Sequence, residues 1–192
     1  MRIDHVIYAT QDLDRTAARL EAEHGLAARG GGRHVGLGTE NRIVPLGGGY
    51  LELIAVADRA EAQRTSLGNA LAARIAQRGE GLMGWVVAVG DVLAEAGRTG
   101  AELSTIERAG LRARLAGVAT AMAEPALPFF IERDAGVADP GDGGDAGGIT
   151  WVEVAGDADR LRAWLGGAEL PVRVHDGEPG LLAVGIGDRE LR

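Results

Sequence analysis

Glu52 sits where a charge is costly. It lies in Tyr50-Leu51-Glu52-Leu53-Ile54, apolar on both sides, and a buried carboxylate needs a partner. Glu132 repeats the oddity after Pro128-Phe129-Phe130-Ile131, and His5 stands in the first apolar run of the chain. An imidazole and two carboxylates in one place would make a hard-metal site or a general base. His34 and Asn41 flank a Gly-Leu-Gly-Thr turn and could line the mouth of a pocket, although polar turn residues commonly have no other role.

An internal repeat would join these distant residues. A shift of 80 lays Met83-Gly84-Trp85-Val86-Val87 on Ile3-Asp4-His5-Val6-Ile7 and Phe130-Ile131-Glu132 on Tyr50-Leu51-Glu52. Matches at both ends of a unit of about eighty residues indicate duplication. Two units related by a pseudo-twofold would bring His5 and Glu52 to face Trp85 and Glu132 across a shared cavity. A shift of 146 further places Trp151 on His5.

The elements that must position these residues follow from hydrophobic period. Ile3–Thr10 is a buried strand, and Asp12 caps a helix with Leu13, Ala17 and Leu20 on one face, stopped by Gly25. After the turn glycines 30–32, strands are expected at Arg33–Leu37, Asn41–Leu46 and Tyr50–Val56. Ser66 caps a connecting helix through Leu67, Leu71 and Ile75. The pattern then restarts: strand Leu82–Val89, helix Asp91–Gly97, and strands Ile106–Glu107, Arg112–Ala119 and Phe129–Glu132. Gly136–Gly148 reads as a mobile loop unable to bury surface. Ile149–Ala155, a helix capped by Asp157, Pro171–His175 and Leu181–Ile186 form a shorter third piece.

The expected fold is therefore α+β, built from repeated βαβββ units with flanking helices and a truncated third unit. Its divisions are residues 1–58, a connector at 59–80, a second unit at 81–135, the loop at 136–148 and the partial unit at 149–192.

Composition narrows the function. Of 192 residues 46% are hydrophobic, enough for a core, and the net charge of −8 without a basic run argues against nucleic acid. All 20 basic residues are Arg, and cysteine is absent, which removes disulfides, thiolate ligands and a thiol nucleophile. The start lacks a secretory apolar stretch, and the most apolar window, 81–90, is too short to cross a bilayer. A cytoplasmic protein with no membrane partner, a monomer or homodimer, is expected.

The chain resembles the vicinal oxygen chelate superfamily, and within it the glyoxalase-like proteins with additional βαβββ-type units. The resemblance is carried by residues 3–14, 31–41, 50–54, 84–87 and 128–132. It implies cupped β-sheets holding a divalent ion (Zn, Fe, Mn, Ni or Mg) between a His/Glu pair from each unit. His5, Glu52 and Glu132 then match three metal positions, while the fourth falls on Trp85, which cannot ligate. The resemblance also implies a metal-dependent lyase, isomerase or dioxygenase acting on a small oxygenated molecule, with Glu52 or Glu132 moving a proton. His34, Asn41 and Trp85 would contact that molecule. The alternative is a metal-free small-molecule binder, for drug sequestration or sensing, in the same cavity.

Other candidates have plainer readings. His24 ends a helix, where its charge suits the dipole, and His175 lies on a late strand. Trp151 and Trp164 read as core. Neither glycine run is a phosphate fingerprint, and no Ser-His-Asp arrangement stands out.

Overall fold

The computed structural model describes residues 1–108 and 111–192. The first unit runs β1 (Arg2–Ala9), α1 (Leu13–His24), β2 (Arg29–His34), β3 (Thr39–Pro45) and β4 (Tyr50–Val56). A short α2 (Arg59–Ala62) and α3 (Ser66–Arg78) connect it to the second unit. That unit comprises β5 (Gly81–Ala88), α4 (Val92–Thr99), β6 (Leu103–Arg108), β7 (Leu111–Ala116), α5 (Val118–Ala123) and β8 (Phe129–Arg133). The chain ends with β9 (Ile149–Ala155), α6 (Ala158–Trp164), β10 (Val172–His175), β11 (Gly180–Ile186) and β12 (Arg189–Leu191).

Both units wire their strands alike. Their common sheet has the order β2-β3-β4-β1-β5-β8-β7-β6, so β1 and β5 form an antiparallel seam at its centre. In each half the first strand pairs in parallel with the last, β1 with β4 and β5 with β8. The sheet curls until its edge strands β2 and β6 come close, which leaves a concave interior. The last segment forms a separate sheet, β10-β9-β11-β12, whose strand order is not that of the two units.

Alternation along the strands separates two cores. Trp85, Val87, Leu51, Leu53 and Phe130 belong to the convex side, together with Leu13 and Leu20 of α1 and the second sheet. There Phe130 stacks on Trp164 with ring centroids 5.6 Å apart, and Trp164 Nε1 donates to the Pro128 carbonyl at 2.7 Å. Ile7, Ile54, Val86, Phe129 and Ile131 face the concave side, which Leu67 and Leu71 of α3 help to close.

Helix ends follow local chemistry. The Asp12 carboxylate accepts from Arg15 N, and Asp91 caps α4 in the same way through Leu93 N and Ala94 N. Thr65, rather than Ser66, caps α3, accepting from Gly68 N.

Several expectations need correction. The glycines at 30–32 are part of edge strand β2, paired to β3 across an irregular register, although their composition signals a turn. The strand expected over Arg112–Ala119 stops at Ala116, because Gly117 turns the backbone to φ 81 and α5 begins.

Residues 136–148 are not a free loop. Gly47 N donates to the Gly141 carbonyl at 3.0 Å, Gly148 N to Leu46 O at 2.8 Å, and Arg29 to the Gly143 carbonyl at 3.2 Å. Glycine lets the two backbones touch: a Cβ on Gly144 would run into the carbonyl of Pro45. Gly144→Ala is therefore expected to lower stability by about 1–3 kcal/mol, the usual cost of overpacking, and thermal or urea melts check it. A neutral result would mean that the docked segment adds nothing to the fold.

Candidate functional site

A cavity of about 340 Å³ lies inside the curled sheet. Ile7, Leu67, Leu115, Phe129 and Ile131 supply apolar walls, while His5, His34, Asn41 and Glu52 converge at one end. The mouth carries Arg64, Ser66, Glu102 and Thr105.

The polar end comes almost entirely from the first unit. β1 supplies His5, the end of β2 supplies His34, β3 supplies Asn41 and β4 supplies Glu52. All four side chains are buried. The Glu52 carboxylate is shared: Oε2 lies 3.5 Å from His5 Nε2, Oε1 lies 3.6 Å from His34 Nε2, and Oε1 accepts a short hydrogen bond from Asn41 Nδ2. The same amide nitrogen contacts His34 Nε2 at 3.1 Å, and Asn41 Oδ1 accepts from Gly32 N at 3.1 Å. The Gly32 N–H thus sets the amide orientation, directing its two N–H groups to Glu52 and His34. His34 consequently accepts at Nε2 and donates from Nδ1 to Thr39 Oγ1, 2.9 Å away.

Behind His5 stands a second buried pair. His5 Nδ1 donates to Asp4 Oδ2 at 2.7 Å, and Arg133 grips both Asp4 oxygens at 2.6 Å each. Consecutive strand residues ordinarily point to opposite faces. The β1–β5 register shifts between Ile3 and His5, however, and this irregularity at Asp4 brings both side chains into contact. The His5 ring stacks on Tyr50, centroids 4.4 Å apart, with Phe129 edge-on at 6.2 Å. Arg133 also donates to the Tyr50 hydroxyl at 3.2 Å.

Electrostatics follow from these contacts. Burial pushes Glu52 up, but hydrogen bonding and charge from His5, together with the Asn41 amide, outweigh it and hold the carboxyl down to about 2. Burial likewise opposes ionisation of Asp4, and the Arg133 and His5 hydrogen bonds overcome it, leaving the carboxyl well below its ordinary range. For His5, burial disfavours the cation, yet Asp4 and Glu52 together raise its pKa above 6.5. Burial holds the Tyr50 phenol well above its ordinary value.

The structure therefore brings together His5, Glu52, His34 and Asn41, and turns Glu132 and Trp85 away. Glu132 must be corrected as a cavity ligand or proton carrier: its Oε2 accepts from Val92 N at the start of α4, and its Oε1 pairs with Arg114 at 2.6 Å. Trp85 must be corrected as a cavity residue: it is buried on the convex side, donating from Nε1 to Ala126 O at 3.1 Å. Both corrections share one cause. The capping residues Asp12 and Asp91 are 79 positions apart, and the cavity-facing pairs Tyr50 with Phe129 and Glu52 with Ile131 keep that offset. A one-residue slip turns every side chain of a strand to the other face. At the offset of 79, His5 corresponds to Gly84 and Glu52 to Ile131, so the second unit offers no donor at either position.

A divalent ion fits these residues poorly. The second-half positions are Gly84 and Ile131, and the Asn41 amide already donates to Glu52 Oε1 and His34 Nε2, whose lone pairs a cation would need. Among the described residues, no group of three or more His, Asp or Glu side chains is arranged to hold a metal. No helix among them is long and apolar enough to cross a membrane.

Sequence reasoning missed Asp4, Tyr50 and Arg133 as parts of the site. Asp4 and His5 are consecutive polar residues opening a strand that is otherwise buried and apolar, and that pairing was the available signal.

Comparison with known proteins agrees with the architecture. A hypothetical protein from Staphylococcus aureus superposes with a TM-score of 0.70 at 16% identity, covering 94% of this chain and 88% of that one. Streptomyces coelicolor methylmalonyl-CoA epimerase in complex with 2-nitronate-propionyl-CoA gives a TM-score of 0.52 at 20% identity, over 68% of this chain and 96% of that one. The Mycobacterium tuberculosis methylmalonyl-CoA epimerase gives 0.50 at 17%, over 69% and 86%. At these identities the likeness concerns the fold alone. No curated protein matches. The model of the glyoxalase-like domain matches residues 3–170, nearly the whole chain. With the paired βαβββ units and the curled sheet, that match places this protein in the glyoxalase-like family of the vicinal oxygen chelate superfamily.

Proposed function

We propose that this protein is a metal-independent isomerase or lyase that moves protons on a small oxygenated molecule bound in the cavity. One observation carries the reading: the Glu52 carboxylate and the His5 imidazole, 3.5 Å apart, lie side by side at the polar end of a pocket with apolar walls. His5 Nε2 sits 3.5 Å from Glu52 Oε2, too far for a tight hydrogen bond, so an incoming ligand oxygen can accept the proton that Nε2 carries in the imidazolium form. His5 then acts as the proton donor, and Glu52 stabilises the imidazolium and receives a proton from a ligand hydroxyl or acidic carbon. The apolar walls exclude water and strengthen these charges. The epimerases that share the fold are isomerases by name, which supports the class without supplying the substrate.

A second reading, a small-molecule binder without chemistry, is favoured by the low pKa of Glu52. A carboxyl held down to about 2 is a weak base. Deuterium exchange separates the two. A panel of small hydroxy acids, oxo acids and CoA-linked acids is screened by thermal shift, and stabilising compounds are incubated with the protein in D₂O. Deuterium entering the ligand at carbon, lost in Glu52→Gln, is expected of the enzyme. Stabilisation without exchange would leave the binder. Protein purified without chelator or tag is expected to carry no stoichiometric divalent ion. One ion per chain, lost in both His5→Ala and Glu52→Ala, would overturn the metal-independent reading.

A further inference from the structure

The proton assigned to His5 above is useful only if it sits on the nitrogen that faces the cavity. We propose that Asp4, displaced by the irregular register at the start of β1 and clamped by Arg133, is the positioning residue that fixes which face and which nitrogen of His5 serve the site. This inference rests on the reading of His5 as the proton donor.

The geometry is specific. The register shift between Ile3 and His5 lets Asp4 and its immediate neighbour lie side by side instead of on opposite faces. The Asp4 carboxylate then meets Nδ1 at 2.7 Å, whereas Glu52 stands 3.5 Å from Nε2. Of the two carboxylates, Asp4 has the stronger hold on a ring proton, so the neutral ring keeps its hydrogen on Nδ1 and presents Nε2 to the cavity. Stacking against Tyr50 at an interplanar angle of 13° leaves the ring little freedom to turn.

Arg133 completes the arrangement. Asp4 is wholly buried, and a carboxylate there holds one orientation only if its oxygens are claimed. The two parallel 2.6 Å contacts from Arg133 claim both and set the carboxylate plane, with Oδ2 left to receive His5. The same guanidinium reaches the Tyr50 hydroxyl, so one side chain fixes both the carboxylate behind the imidazole and the ring stacked on it. Arg133 belongs to β8 of the second unit. That unit supplies no polar group at the positions matching His5 and Glu52, yet it orients the first unit's histidine from behind.

The test reads the His5 ring directly. Nitrogen-15 NMR of the imidazole, recorded on metal-free protein on the alkaline side of the His5 transition, reports which nitrogen carries the hydrogen. The native protein is expected to show Nδ1–H. Exchanging the buried pair as Asp4→Leu/Arg133→Met removes both charges together and preserves packing, and in it Glu52 becomes the nearer carboxylate. The ring is then expected to switch to Nε2–H. Arg133→Lys, which keeps a cation on Asp4, is expected to retain Nδ1–H. A folded double variant that still shows Nδ1–H would overturn the proposal, as would a native protein showing Nε2–H. The readout needs neither ligand nor turnover, so its failure is distinguishable from a failure to find deuterium exchange.

Discussion

Arg133→Met is expected to destabilise the fold by about 3–5 kcal/mol, the loss that follows when one partner of a buried ion pair is removed. Asp4 has no exposure, and the guanidinium holds both of its oxygens; without it the carboxylate keeps only His5 and the half-exposed Arg2, 3.5 Å from Oδ1, or must take up a proton. Urea denaturation at neutral pH measures the loss. Asp4→Leu/Arg133→Met is expected to recover most of it, because replacing a buried pair by apolar groups is often neutral. The single change would have to cost more than the double. If both cost the same, the loss comes from packing around the long Arg133 side chain, and the pair itself contributes nothing.

Glu52→Gln keeps the shape of the side chain and removes its charge, and it should act mainly through pH. A carboxyl held at about 2 instead of 4.5 contributes on the order of 3 kcal/mol at neutral pH. The sign follows from the direction of the shift. A depressed carboxyl stabilises the fold above its unfolded value, and that contribution is lost as pH falls from 4.5 towards 2. His5, whose pKa is raised, stabilises the fold below 6.5, and this is lost as pH rises through the folded value. The native protein is therefore expected to be most stable between these limits. In Glu52→Gln the acid-side loss shrinks, because Asp4 alone remains to drive it among the carboxylates touching His5. The alkaline loss begins at lower pH, since His5 keeps only one carboxylate. Melting temperatures across the pH range, with a histidine titration followed by NMR, check both limbs. An unchanged His5 transition would show that Glu52 and His5 do not share charge.

Much of this architecture was legible in the chain. The buried run at Ile3–Thr10, the Asp12 and Asp91 caps, and the anomalous Glu52 in an apolar strand are local facts, readable because strand period and cap chemistry depend on near neighbours. The family resemblance rested on the same segments. The glycine segments were less readable. Gly141, Gly144 and Gly148 have a turn-forming composition, and only the opposing backbone of Pro45–Gly49 shows that they allow close approach.

By itself, the sequence determined that two similar α+β units exist, that His5 and Glu52 are buried polar groups near their unit's ends, and that no cysteine takes part in the chemistry. The tertiary structure alone decided which residues share the cavity. An offset of 80 and one of 79 look nearly alike in a string of apolar residues, but side chains alternate along a strand, so a single step exchanges Ile131 for Glu132 and Gly84 for Trp85. The same holds for Asp4. Alternation would send it away from His5, and only the register shift against β5, a partner more than seventy residues distant, turns it back to the imidazole. Period is written in the chain, whereas register is settled between strands that meet only on folding.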